Sequence, residues 1–236
     1  MLTNTDLHRT FNNERFDHGG RFYGGWWQGL PKADRARILI DGETTVELDY
    51  MAFQPRLCFD LEGHPLPPEV DPYALPGLDM ETYREAVKKT VAQLVYAMPG
   101  VPLGRAGASK ELFPDAQTYA NFAGQVEAAL GGMAGWLRTG RGMALQFVDS
   151  EIADGVIHRL TAQDMPCLPI HDSFIVPASA EVRLGAAMIA AYREQVKRRA
   201  ARTADPVIRG WTASEQERGA WEEVGPLPSR VIQGGT

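Results

Sequence analysis

The sequence predicts an α+β fold: an antiparallel sheet whose strands are separated by a helical insertion. Three observations carry this reading. Short apolar runs bounded by turn residues cluster at 37–60 and again at 166–178. The stretch between them carries helix caps, helical periodicity and helix stops. A long amphipathic segment, Ser179 to Arg202, follows the second strand group. Strand groups interrupted by a helical insertion suggest an α+β fold with an antiparallel sheet.

The elements follow in order. Residues 16–29, "FDHGGRFYGGWWQG", hold five glycines among bulky rings. They predict a loop whose backbone approaches something closely, with Trp26 and Trp27 forming core or an apolar ledge. "ARILIDGETTVELDY" predicts two strands joined at Asp41-Gly42, the second ending at Asp49. A proline-rich connection runs from Glu62 to Gly77. Asp79 caps a helix from about Met80 to Met98, stopped by Pro99-Gly100, and a second helix spans Asp115 to Leu130. A glycine-spaced connection over 131–142 leads to a third, with Leu145, Val148, Ile152, Val156, Ile157 and Leu160 on one face. "PCLPIHDSFIVPAS" then predicts two short strands with His171-Asp172-Ser173 at the tip. This gives four parts: sheet segments over 1–60 and 146–205, a helical subdomain over 61–145, and an irregular tail over 206–236.

Composition bounds the function. The chain has 236 residues, 44% hydrophobic and 23% charged, an ordinary globular balance for one large or two small domains. No apolar run approaches the ~18 residues of a membrane span, and the polar first residues lack the core of a signal peptide. The expectation is a cytoplasmic protein with no membrane partner. Cys58 and Cys167 are distant in sequence and lack zinc spacing, as free thiols in a reducing compartment do. A net charge of −6 argues against a non-specific nucleic-acid coat. Basic charge is nevertheless clustered: Arg183, Arg193, Lys197, Arg198, Arg199 and Arg202 enclose a single acid, Glu194. This stretch is either a solvated helix face or a grip on polyanion.

Three features bear chemistry. Asp49 ends one strand and Asp172 tips a hairpin. Each is either an ordinary turn carboxylate or one held rigidly at a sheet edge to bind a metal. On the first helix, Arg84, Lys88, Ala92 and Tyr96 recur every four residues. At ~100° per residue they form one slowly drifting stripe. Two cations and a phenol on a stripe suit a triphosphate followed by a sugar or base. The alternative is a surface helix in which Glu81 and Glu85 pair with Lys88 and Lys89.

Together these elements resemble the palm and fingers of family A DNA polymerases and of the related single-subunit phage-type RNA polymerases. The family has a strand-end Asp, here "VELDYMAF". It has a fingers helix with Arg, Lys four later and Tyr twelve later, here Arg84, Lys88 and Tyr96. It has a His-Asp hairpin, here "PIHDSFIV". "GGRFYGG" with "WQGLP" is similar to its Gly-Arg element, and "LQFVDSEIA" to its Gln-bearing helix. All five occur in the family's order over roughly residues 19–178.

The resemblance implies a polymerase palm with an antiparallel sheet and an inserted helical fingers subdomain. It implies nucleotidyl transfer to a primer 3′-hydroxyl with two Mg²⁺ ions, or Mn²⁺, held by Asp49 and Asp172. Arg84 and Lys88 would face the phosphates, Tyr96 and Gln54 the nascent pair and its sugar, and His171 the primer end. Arg21 and Gln146 would contact template or primer, and Arg193, Lys197, Arg198 and Arg199 the duplex. The implied partners are a primed DNA template and a nucleoside triphosphate. With no thumb or proofreading exonuclease evident, low processivity follows, and the basic stretch or an accessory protein would replace the thumb.

Departures from the family pattern concern sugar selection. Gln54 stands where the DNA enzymes carry Glu, Ser173 where they commonly carry Glu, Ala92 where an aromatic is frequent, and Ala97 where Gly is usual. A primase or small RNA polymerase using NTPs is therefore the second reading. A non-catalytic nucleic-acid-binding protein with a palm fold is the third, opposed by retention of both carboxylates. A metal-dependent hydrolase would need further acids such as Asp149 and Glu151, which the helical pattern places on a helix surface.

Overall fold

The computed structural model describes residues 4–105, 110–200 and 205–211. Arg202 and residues 212–236 lie outside them. In chain order the elements are β1 (His8–Phe11), β2 (Gly19–Tyr23), α1 (Lys32–Arg35), β3 (Leu39–Ile40), β4 (Glu43–Tyr50), α2 (Phe53–Leu61), α3 (Met80–Tyr96), α4 (Ala116–Ala129), α5 (Gly142–Thr161), β5 (Leu168–Ile170), β6 (Ser173–Pro177), α6 (Glu181–Lys197) and β7 (Ile208–Trp211). The fold is α+β with an antiparallel sheet, as expected. The described residues form two compact units: those within 1–53, 146–195 and 205–211 make a sheet unit, and those within 54–145 with 196–200 a helical unit.

In the sheet unit, β4 is the longest strand and the organiser. From Thr45 to Asp49 it pairs with β6, and β5 lies beyond β6. The other edge of β4 is shared. Near its start β3 pairs through the Asp41-Gly42 turn, and near its end β7 pairs with residues 47–50. Asp41 and Gly42 both have positive φ, 52° and 81°, as a two-residue hairpin turn of this hand requires. Period-two alternation then divides the β4 side chains. Val46, Leu48 and Tyr50 enter a core that also holds Phe174, Val176, Met188 and Tyr192. Tyr50 stacks on Phe53 at 4.7 Å and donates its hydroxyl to the Met188 carbonyl at 2.8 Å. The opposite face carries Thr45, Glu47 and Asp49. A smaller apolar cluster of Trp27, Ile38 and Ile175 lies beside it, and the Trp27 indole donates to the Pro169 carbonyl at 3.0 Å.

In the helical unit, Asp79 caps α3 as expected, accepting from the backbone N–H of Glu81, and Asp115 caps α4, accepting from that of Thr118. The two helices meet through Thr90, Tyr119 and Gln93, whose polar atoms bond at 2.8–3.0 Å. Arg56 holds the proline-rich connection, donating to the carbonyls of Leu66, Pro67, Pro68 and Val70.

Four expectations are corrected. The glycine-rich stretch is not a loop: Gly19–Tyr23 forms β2, paired with β1 as a two-stranded ribbon. Gly19 and Gly20 have φ of 76° and 81°; a Cβ on Gly20 would meet Ser150 Oγ at 2.7 Å, so Gly20 allows close packing on α5, whereas a Cβ on Gly19 would meet the Asn12 side chain within the ribbon. Residues 53–61 are helical rather than part of the first strand group. Residues 208–211, expected in an irregular tail, form β7. Asp149, expected on a helix surface, is 1% exposed.

Candidate active site

The candidate site lies where β4 and β6 run out. Asp49 pairs in register with Ser173, the residue after Asp172, and the Tyr50 N–H donates to the Asp172 carbonyl at 3.4 Å. Strand register alone therefore brings the two carboxylates to one end of neighbouring strands. His171 adopts φ 56°, the left-handed conformation that turns the hairpin here. Its ring meets the edge of Tyr23 at 5.6 Å, while its Nδ1 is buried without a hydrogen-bond partner. Burial, and secondarily the Arg21 charge, hold the imidazole below its ordinary pKa.

Asp172 is under strong electrostatic pressure. Burial first, then the Asp149 and Asp49 charges, push its carboxyl up to about 7. Such a group is stabilised by any cation brought to it. Asp149 is also raised by burial, opposed by its ion pair with Arg21, whose Nε and Nη2 both bond Oδ2, the former at 3.0 Å. Arg21, assigned to template or primer by the resemblance, is thus engaged with Asp149. Glu151, likewise expected on the surface, pairs with Arg9 at 2.8 Å. The ribbon supplies both arginines, and the pairing of Arg21 with Asp149 is why the helical pattern of α5 alone misplaced that acid.

Sequence reasoning also missed a polar network on the same face of β4 as Asp49. Glu47 is buried and takes two hydrogen bonds from Arg35, at 3.0 and 2.8 Å. Ser173 Oγ donates to the same carboxylate at 3.0 Å. Lys32 lies nearby, its ammonium held below its ordinary pKa chiefly by burial, with Glu47 and Asp49 opposing. Arg209 on β7 donates to Asp49 Oδ2 at 2.7 Å. The available signal was the alternation in "TTVELDY", which puts Glu47 on the face of Asp49.

Among the described residues, no group of three or more His, Cys, Asp or Glu side chains is arranged to hold a metal ion. The donor set is two carboxylates at one sheet end, with Asp149 committed to Arg21. Two carboxylates, Asp49 and the charge-stressed Asp172, fit Mg²⁺, which is usually held by one or two carboxylates plus substrate phosphates and water.

In the helical unit, no member of the expected stripe on α3 is buried: Arg84, Lys88 and Tyr96 are half-buried and Ala92 is exposed, while Ala86, Thr90 and Leu94 lie on the far side of the helix. Arg84 pairs with Asp71 of the proline-rich connection, and Lys88 with Glu85 at 2.6 Å. Gln54 Nε2 donates to the Tyr96 hydroxyl at 3.2 Å. Gly142 makes room for this ring: a Cβ there would lie 2.5 Å from Tyr96 Cδ1. Gln146 is half-buried on α5. Of the basic stretch, Arg193 is bound by Asp205 at 2.5 and 2.6 Å, while Lys197, Arg198 and Arg199 are exposed.

No helix among the described residues is long and apolar enough to cross a membrane. The sequence matches no family model and no curated protein. Solved structures do match. The POL domain of Pol1 from M. smegmatis, in complex with DNA primer-template and dNTP, aligns at TM-score 0.52 and 14% identity. The alignment covers 89% of this chain and 48% of that one, so the chain spans about half the length of that structure. The chain has a polymerase-like fold.

Proposed function

We propose that the protein is a template-directed nucleic-acid polymerase of family A type, transferring a nucleotide from a dNTP to a primer 3′-hydroxyl. The observation that carries this reading is the pairing of β4 with β6, which sets Asp49 beside the Asp172 hairpin within a polymerase-like fold. Asp49 and Asp172 would hold the divalent ions. When bound, such ions polarise the attacking hydroxyl and neutralise charge on the triphosphate. The chain's own groups bind and orient. Arg84 and Lys88 exchange their present acidic partners for phosphate oxygens, a substitution of one charged hydrogen-bond acceptor for another. Tyr96, held by Gln54 and seated against Gly142, offers an aromatic surface to the nascent pair. His171 lies at the hairpin tip towards the primer end. Arg21 and Gln146 contact primer or template, and Arg193 with Lys197, Arg198 and Arg199 grips the duplex.

A second reading, a primase or small RNA polymerase, is favoured by one feature. The Gln54–Tyr96 contact is a neutral hydrogen bond, roughly half as strong as a charged one, so the group guarding the sugar is loosely held. Primer extension on a primed DNA template with Mg²⁺, comparing dNTPs with NTPs, tests both. Extension with dNTPs preferred supports the first reading, strong NTP preference the second. No extension with either supports a palm fold used only for binding.

A further inference from the structure

Three arginine–carboxylate pairs surround the sheet end, and they are not alike. In Arg35–Glu47 and Arg21–Asp149 the arginine side chains are 13% and 18% exposed and the acids 6% and 1%. Breaking either would strand a buried charge, so these are fixed parts of the fold. Arg209–Asp49 differs. Its guanidinium is 42% exposed and its carboxylate 18%. An arginine at the solvent edge can leave its partner at little cost. It is nonetheless delivered with precision, because β7 pairs with β4 and sets Arg209 directly opposite Asp49.

We propose that Arg209 is the resident counter-cation of Asp49 and sets, by competition, how tightly the Asp49–Asp172 pair takes up a divalent ion. This rests on the polymerase reading above. A guanidinium bonded to Oδ2 occupies one of the oxygens an ion would use and repels an ion approaching the other. Lys32 and Arg35 add positive charge to the same face, and Glu47 opposes them. The site therefore binds metal weakly alone and takes it up firmly when triphosphate oxygens complete the coordination. β7 thereby acts as a brake against futile loading of the empty site.

The test is Mn²⁺ binding to the full chain without nucleotide, read from the EPR signal of free Mn²⁺. Arg209→Gln should bind about tenfold tighter than wild type, equivalent to ~1.4 kcal/mol. Arg209→Lys, which keeps the charge, should bind like wild type. Adding Asp49→Asn to wild type and to Arg209→Gln should abolish the difference between the two. Circular dichroism checks that β7 variants remain folded, and Arg209→Met repeats the comparison with the aliphatic stem retained. Equal or weaker binding by Arg209→Gln and Arg209→Met, where wild-type binding depends on Asp49, overturns the inference alone. Absence of any Asp49-dependent binding in every variant overturns the metal assignment as well.

Discussion

The charged groups of the sheet unit and those of the helical unit are held in opposite ways. Around β4, Glu47 and Asp149 are buried and locked by arginines, and Asp49 and Asp172 are positioned by backbone register. On α3 the cations are on the non-buried face, paired with acids of a loop or the same helix. A buried pair loses several kcal/mol when one member goes, whereas an exposed pair contributes ~1 kcal/mol or less. The buried pairs of the sheet unit thus keep their geometry, whereas the pairs on α3, like Arg209–Asp49, can exchange partners. Variants in the two units should fail differently.

The largest effect should come from the carboxylates. Asp49→Ala and Asp172→Ala are expected to reduce extension by roughly three orders of magnitude, the several kcal/mol a metal contributes to the transition state, with the fold kept. Near wild-type extension by a folded variant removes that residue from the site. Glu47→Gln comes next and is read in stability. Arg35 would lose a charged partner that it now bonds twice, at a cost of about 3–5 kcal/mol. Urea denaturation with an unchanged midpoint would show that the network on this face is dispensable.

A third prediction uses pH. An unfolded Asp titrates at about 4, while folded Asp172 is pushed up to about 7. Between those values the native state holds a proton that the unfolded chain releases, so stability falls as pH rises through that window. In EDTA, Asp172→Asn should melt increasingly above wild type as pH rises through the window from about 4 to about 7. Added Mg²⁺ should narrow the gap at the alkaline end. A gap independent of pH contradicts the pressure on this carboxyl.

Effects in the helical unit should be smaller and kinetic. Arg84→Ala and Lys88→Ala should raise the nucleotide KM about tenfold each, the ~1.4 kcal/mol of a charge-assisted contact, with the melting temperature almost unmoved. Equal loss of duplex binding would assign α3 to the nucleic acid instead. The smallest change is expected at Gln54. Gln54→Ala should reduce the preference for dNTPs over NTPs severalfold and Gln54→Glu should increase it; a ratio unmoved by both would place sugar selection elsewhere.

Local signals were legible in the sequence. The Asp41-Gly42 turn, the cap at Asp79 and the apolar face of α5 all depend on neighbours within a few residues. The adjacency of Asp49 and the His171-Asp172 hairpin was legible through strand patterning and the order of motifs. What escaped depends on pairings across the chain. β7 is four residues of ordinary composition whose strand character comes from β4. Asp149 reads as a surface acid until Arg21, 128 residues earlier, reaches it. The β1–β2 ribbon was hidden by glycines, which suggest a loop, but Gly20 here serves close packing on α5.

The position of β4 also has a consequence for biosynthesis. Its hydrogen-bond partners on β6 and β7 are encoded far downstream: Ser173 lies 126 residues from Glu47, and Arg209 lies 160 from Asp49. At ~5–20 residues per second, β4 waits on the order of ten seconds outside the ribosome with Val46, Leu48 and Tyr50 unsheltered. The helices of residues 54–145 can form meanwhile from local contacts, whereas strand pairing over such separations is slow. Refolding from denaturant should therefore be limited by assembly of the sheet, and the half-made chain is the species most in need of a chaperone.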